Sequence, residues 1–148
     1  MTEEQDKQIR LALARLDGWC IKVDEHHYRW LQHGDNRYIA QKGLIAHGAG
    51  LDGAMIVVKC DDEAWDWALA MNLIPNYTRD ISATLALLRR RDRPFSFTFD
   101  PAKRVLAIDV DGIIVGVRDD DDFPAVLSQT LAMKDDEYVH YLAENNLH

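Results

Sequence analysis

An α+β fold is predicted by three features of this 148-residue chain. Apolar residues recur at helical spacing, as in Ile9, Leu13 and Leu16 and again in Ile81, Leu85 and Leu88. Phe95-Ser-Phe-Thr-Phe99 alternates strictly, the period of a half-buried strand. Asp111-Gly112, set between two apolar runs, is a hairpin signal, because both residues tolerate the positive φ that a tight turn requires.

The elements follow in order. Thr2-Glu3-Glu4-Gln5 has the form of a capping box, and Gly18 stands where a helix C-cap is expected. Cys20–Val23, Tyr28–Leu31 and 37–40 read as short strands. Gly43 to Gly53 is glycine-rich and reads as a mobile loop. Met55–Lys59 (Met-Ile-Val-Val-Lys) reads as a buried strand belonging to the same sheet as the later meander. Asp61 or Asp62 caps the next helix, which carries Trp65, Ala68, Leu69 and Asn72 on one side. Pro75 holds Ile74 out of helical geometry, the Thr78 hydroxyl is expected to cap the first turn of the following helix, and Asp80 favours its dipole. Arg89, Arg90 and Arg91 suit the other end of that dipole, and Pro94 stops the helix. Phe95–Phe99, Val105–Asp109 and Ile113–Val117 form a three-stranded antiparallel meander. Pro124 fits the first position of a helix whose inner face is Phe123, Val126, Leu127, Thr130 and Leu131. Asp135 caps a last helix with Tyr138, Tyr141 and Leu142 on its packing side.

Composition sets outer bounds. A single domain spanning 1–148, with an inserted strand and loop region at about 20–53, is expected from the length. No apolar run is long enough to span a bilayer, so no membrane partner is expected. Two cysteines, Cys20 and Cys60, do not make a disulfide framework, and no apolar signal segment opens the chain; the expected setting is a reducing cytoplasm. That setting also discounts the glycosylation pattern Asn76-Tyr77-Thr78. The net charge of −8 lies entirely in residues 61–148, where nine Lys/Arg face seventeen Asp/Glu. Such a field opposes broad nucleic-acid binding and suits plain solubility or a basic partner.

Few constellations carry chemistry. Asp24, Glu25, His26, His27 and His33 are ligand types, but strand geometry would point His26 and His27 opposite ways; a solvated turn is the plainer reading and a metal site the alternative. Asp109-Val-Asp-Gly112 lacks the remaining ligands of a calcium loop and is better explained as a turn. Asp119 to Asp122 reads as a solvated face or a helix cap. The glycines at 43, 48, 50 and 53 lack the Gly-Lys-Ser/Thr of a phosphate loop, although Lys42 and His47 beside them could meet an anionic ligand. Arg89, Arg90, Arg91 and Arg93 form the basic cluster, read either as dipole pairing or as a contact for phosphate or an acidic partner. Trp65 and Trp67 lie about 200° apart on their helix, which requires cover on two faces and suggests a homo-oligomer. No catalytic motif and no cofactor motif stands out.

Asp17-Gly18-Trp19 after the first helix, Ile74-Pro75-Asn76-Tyr77-Thr78-Arg79-Asp80 with its helix, a hairpin, and Ala125 to Ala132 occur in an order that resembles the phage ABA-sandwich domain family of bacteriophages and prophages. The resemblance covers about half of the chain. The span from Trp19 to Pro75 is longer than the family usually carries, and the Tyr138 helix lies beyond its core. The resemblance implies an antiparallel sheet covered by helices on both faces, an α/β/α sandwich, and carries no activity with it. The expected function is that of a phage or prophage accessory protein in the bacterial host cytoplasm, binding a host protein or a small anionic ligand without catalysis. The alternative is a small enzyme, or a ligand or metal site, built in the 20–53 region.

Overall fold

The computed structural model describes residues 1–23, 29–41, 44–47 and 61–147, with backbone alone for Arg29, 36–41 and 44–47. In chain order these residues form α1 (Glu3–Leu16), β1 (Cys20–Val23), β2 (Arg29–His33), β3 (Asn36–Gln41), β4 (Leu44–His47), α2 (Asp61–Ala70), α3 (Ile81–Arg90), β5 (Phe95–Asp100), β6 (Val105–Val110), β7 (Ile113–Val117), α4 (Phe123–Ala132) and α5 (Asp136–Glu144). Helices and two separate antiparallel sheets give the α+β class. The chain divides into two compact units, Met1–Asp17 with Pro75–His148, and Gly18–Ile74.

In the first unit, α1 begins as its sequence dictates. The Thr2 hydroxyl accepts from the Gln5 N–H at 3.1 Å and the Gln5 side chain accepts from the Thr2 N–H at 3.0 Å, closing the capping box. Ile9, Ala12 and Leu13 are fully buried, and Gly18 just beyond the helix adopts φ +91°, a conformation costly for any residue with a Cβ. The start of α3 corrects the expectation at Thr78. The cap is Asp80, whose Oδ1 accepts from the Ser82 N–H at 3.0 Å. Thr78 is buried two residues earlier and donates to Asp6 and Asn76. A carboxylate outcompetes a hydroxyl here because it also complements the helix dipole. The packed face of α3 is Thr84, Leu87 and Leu88, with Ile81 and Leu85 half-buried at its edge.

β5, β6 and β7 form the expected meander, in the order β5-β6-β7. Asp111 and Gly112 take φ +51° and +90°, so the turn is of the twisted type that antiparallel strands favour. The register aligns Phe97 with Ile108 and Ile108 with Val115, placing the alternate large residues of all three strands on one face. α4 covers that face over β6 and β7. Phe97 and Phe99, expected to be half-buried, are 38% and 54% exposed, because β5 is an edge strand at the margin of the face that α4 covers. Phe97 retains one edge-on contact with Phe123, ring centres 5.6 Å apart. The opposite face carries Ser96, Thr98, Gly116 and Ile114, all exposed.

α4 is the central helix of this unit, in contact with α1, α3, β6 and β7. Its sequence explains that position. Leu127 and Leu131 fill the core, while Ser128, Thr130 and Ala132 are small enough for neighbours to approach closely. The two buried hydroxyls return to the helix's own carbonyls, Ser128 to Pro124 at 2.9 Å and Thr130 to Val126 at 2.7 Å, so neither is left without a bond. Asp122 caps the helix, which puts Pro124 one residue past the first position. α5 is tied back to α1 by Asp135, which accepts from the Tyr138 N–H at 3.0 Å and from Arg15 at 2.8 Å.

In the second unit, β1 to β4 form a four-stranded antiparallel sheet joined in sequence order. Trp19 is buried and stacks on His33, ring centres 4.7 Å apart and planes 4° from parallel. α2 packs on β2 through a face that includes the buried Ala64 and Ala68. Asp61 and Asp62 lie in its first turn, where their charge suits the helix dipole. Leu44–His47, expected within a mobile loop, is a strand paired with β3, Ile45 facing Ala40. The glycines that suggested a loop flank it, and its own four residues are apolar or neutral. Met55–Lys59 lies outside the described residues.

Candidate functional site

The basic cluster at the end of α3 is largely turned inward on carboxylates of its own unit. Asp17, the last residue before the α1 terminus turns, is 1% exposed. Its carboxylate accepts from Arg90 Nε at 3.1 Å and Nη2 at 2.7 Å, a bidentate fork, and from Arg91 Nε at 3.3 Å. Arg91 also donates to the Asp17 carbonyl. Arg93 pairs with Asp111 at 2.5 Å, bracing the β6–β7 turn. Arg89 remains exposed. Of the four arginines read as one anion-binding group, three therefore have internal partners. Lys42 lies outside the described residues. For His47 the backbone is described, paired across the sheet with Tyr38. The structure thus brings Arg90 and Arg91 together and places His47 in a different unit.

Tyr77 lies beside this cluster. It is fully buried, and among the described residues its hydroxyl makes no hydrogen bond. Burial first, then the nearby Asp17 carboxylate, pushes its ionisation well above the usual tyrosine value. Burial also lowers the Arg10 guanidinium, which donates to the Pro75 carbonyl at 3.4 Å. The bond to Asp17 comes first among the causes that raise Arg90. Tyr77 and Asp17, separated by sixty positions, are thus brought into electrostatic contact. A carboxylate held by two guanidiniums beside a neutral phenol is a fixed structural charge cluster, and what it positions is the turn 75–80.

On the surface beside that turn runs a trough along α4. One end is a cavity of about 550 Å³ among Glu3, Asp6, Arg79, Asp122 and Val126. The other is about 510 Å³ and mainly apolar, walled by Met133, Tyr138, Val139, Leu142 and Leu147. Gln5 and Gln129 line both, so the two adjoin. Met133 and Val139 are 41% and 40% exposed. Burial raises the Tyr138 hydroxyl, against a smaller opposing effect of its bond to Gln129. The Arg15–Asp135 pair, both side chains mostly covered, fixes the angle at which α5 closes this end.

The sequence did not mark the trough. Val139 and Leu142 sit on an amphipathic helix whose apolar positions read as core, and the half-exposed ones are indistinguishable by spacing from the buried ones. Asp24, Glu25, His26 and His27 lie outside the described residues. Among the described residues no group of three or more His, Cys, Asp or Glu is placed to hold a metal ion, and no helix is long and apolar enough to cross a membrane. Comparison with protein-family models, curated proteins and solved structures finds no match.

Proposed function

We infer that this is a phage or prophage accessory protein that acts by binding a host protein, without catalysis, in the host cytoplasm. The observation that carries this reading is the trough along α4, whose apolar end leaves Met133 and Val139 partly uncovered. Exposed apolar grooves with a polar rim are a feature of protein-binding surfaces. The family resemblance supports the origin: its two motif segments, Asp17-Gly18-Trp19 and Pro75 to Asp80, supply the Asp17 and Tyr77 that meet beside the trough. The α/β/α sandwich arrangement and self-association through the Trp65/Trp67 helix belong to the same proposal.

Capture from a bacterial lysate on the immobilised protein tests it. Proteins retained by the native chain and lost with Val126→Asp, a change at the trough wall, are the expected result. Retention that ignores this substitution refutes the assignment of the trough as the binding surface.

A further inference from the structure

Resting on the reading of this trough as a protein-binding surface, we propose that its occupant is a cationic amphipathic α-helix of about three turns. Three observations identify it. First, the length. α4 from Asp122 to Met133 spans roughly 16 Å at the rise of an α-helix, the length of about three turns laid alongside. Second, the walls are helices. Every wall of the apolar end belongs to α1, α4, α5 or the turns that follow them, whose backbone groups are largely bonded within their own turns. Among the described residues, no strand contributes to its lining. An extended peptide would exchange its bonds to water for none, whereas a helix brings its own backbone bonds with it and needs only side-chain pockets. Met133, Val139 and Leu142 would receive apolar side chains at the i, i+3/i+4 spacing.

Third, the charge. On α4 the carboxylate that lines the trough is Asp122, at the polar end, whereas Asp136, Glu137 and Glu144 of α5 line a separate hollow on the other side of that helix. Glu3 and Asp6 stand on the facing wall at the polar end. Among the described side chains that line the two cavities, the opposing cation is Arg79. Asp6 accepts from Thr78 and Asp122 from the Ala125 N–H, and both keep their remaining lone pairs. A helix with leucine on one face and lysine or arginine toward one end therefore matches both the apolar floor and the acidic polar end. An acidic helix meets repulsion at that polar end.

The experiment uses the full chain and three labelled eighteen-residue peptides: a leucine/lysine amphipathic helix, a scramble of the same composition without an apolar face, and a leucine/glutamate helix. Fluorescence anisotropy at 150 mM salt should show saturable binding of the first, at least tenfold weaker binding of the scramble, and none of the acidic helix. Val139→Lys and Met133→Lys, both at half-exposed positions, should each weaken binding of the first peptide at least tenfold with an unchanged circular dichroism spectrum. Equal binding of helix and scramble reduces the effect to net charge and overturns the proposal. So does binding of the helix that neither substitution changes, or no binding of any peptide. In each of those cases the reading as a protein-binding surface is judged by the lysate capture alone, which uses no peptide; a trough-dependent capture beside failed peptides means a partner of another shape.

Discussion

Replacing Asp17 by asparagine and, separately, replacing Arg90 and Arg91 together by alanine should destabilise the fold unequally. The asymmetry follows from exposure. Asp17 is 1% exposed, while the Arg90 and Arg91 side chains are 49% and 40% exposed. Asparagine at 17 keeps the shape and part of the bonding, and the two guanidiniums, already half in water, complete their hydration by small rotations. The loss is then that of one or two charge-assisted bonds at a half-solvated site, about 2 kcal/mol. The double arginine variant instead leaves a carboxylate in a covered site without its two guanidiniums, a situation that typically costs about 3–5 kcal/mol. Urea unfolding at neutral pH reads both, as shifts of midpoint at constant slope. If Asp17→Asn proves the costlier of the two, the carboxylate is not the confined partner and the description of this cluster is wrong.

Tyr77→Phe should be neutral or slightly stabilising at pH 7, since it removes a buried hydroxyl without a partner. The fold keeps Tyr77 neutral where the unfolded chain ionises near pH 10, so stability falls as pH rises past about 10; the phenylalanine variant should lose stability less steeply there, with Tyr138 retaining part of the effect, and an unchanged alkaline slope would contradict the burial effect. Asp80→Ala should cost about 1 kcal/mol as the loss of an N-cap, measured by thermal or urea unfolding. Asp135→Ala removes both a cap and the bidentate partner of Arg15, and should cost about 3 kcal/mol while weakening peptide binding at the trough. Gly112→Val, at φ +90°, should cost about 1–2 kcal/mol even though open space surrounds it, because the strain lies in the backbone.

Local signals predicted local structure well. The capping box at Thr2, the turn at Asp111-Gly112, the alternation from Phe95 and the cap at Asp135 each depend on residues within a few positions, and each is where the sequence places it. Readings that required knowledge of a distant neighbour went astray. Thr78 looked like a cap because its true partner, Asp6, is seventy-two residues away. The strand Leu44–His47 was hidden by its flanking glycines, and its strand character comes from pairing with β3 rather than from alternation. Phe97 and Phe99 read as half-buried, but burial of an edge strand depends on where a helix stops covering the sheet. The arginine cluster was legible as a cluster and not as a set of internal partners, since Asp17 and Arg90 are related by folding alone.

Residues 1–17 join a unit whose remainder begins at Pro75, so this unit is assembled from two ends of the chain. During synthesis α1 leaves the ribosome more than a hundred residues ahead of α4, its main neighbour, and must carry Ile9 and Leu13 uncovered until the tail arrives. The intervening segment, which includes the second unit, sets the length of the loop to be closed. Because closure entropy grows only logarithmically with loop length, a tenfold change in that length shifts the balance by about 2 kcal/mol. The middle of the chain is therefore the part that can lengthen, shorten or be exchanged while the two-ended unit keeps its form.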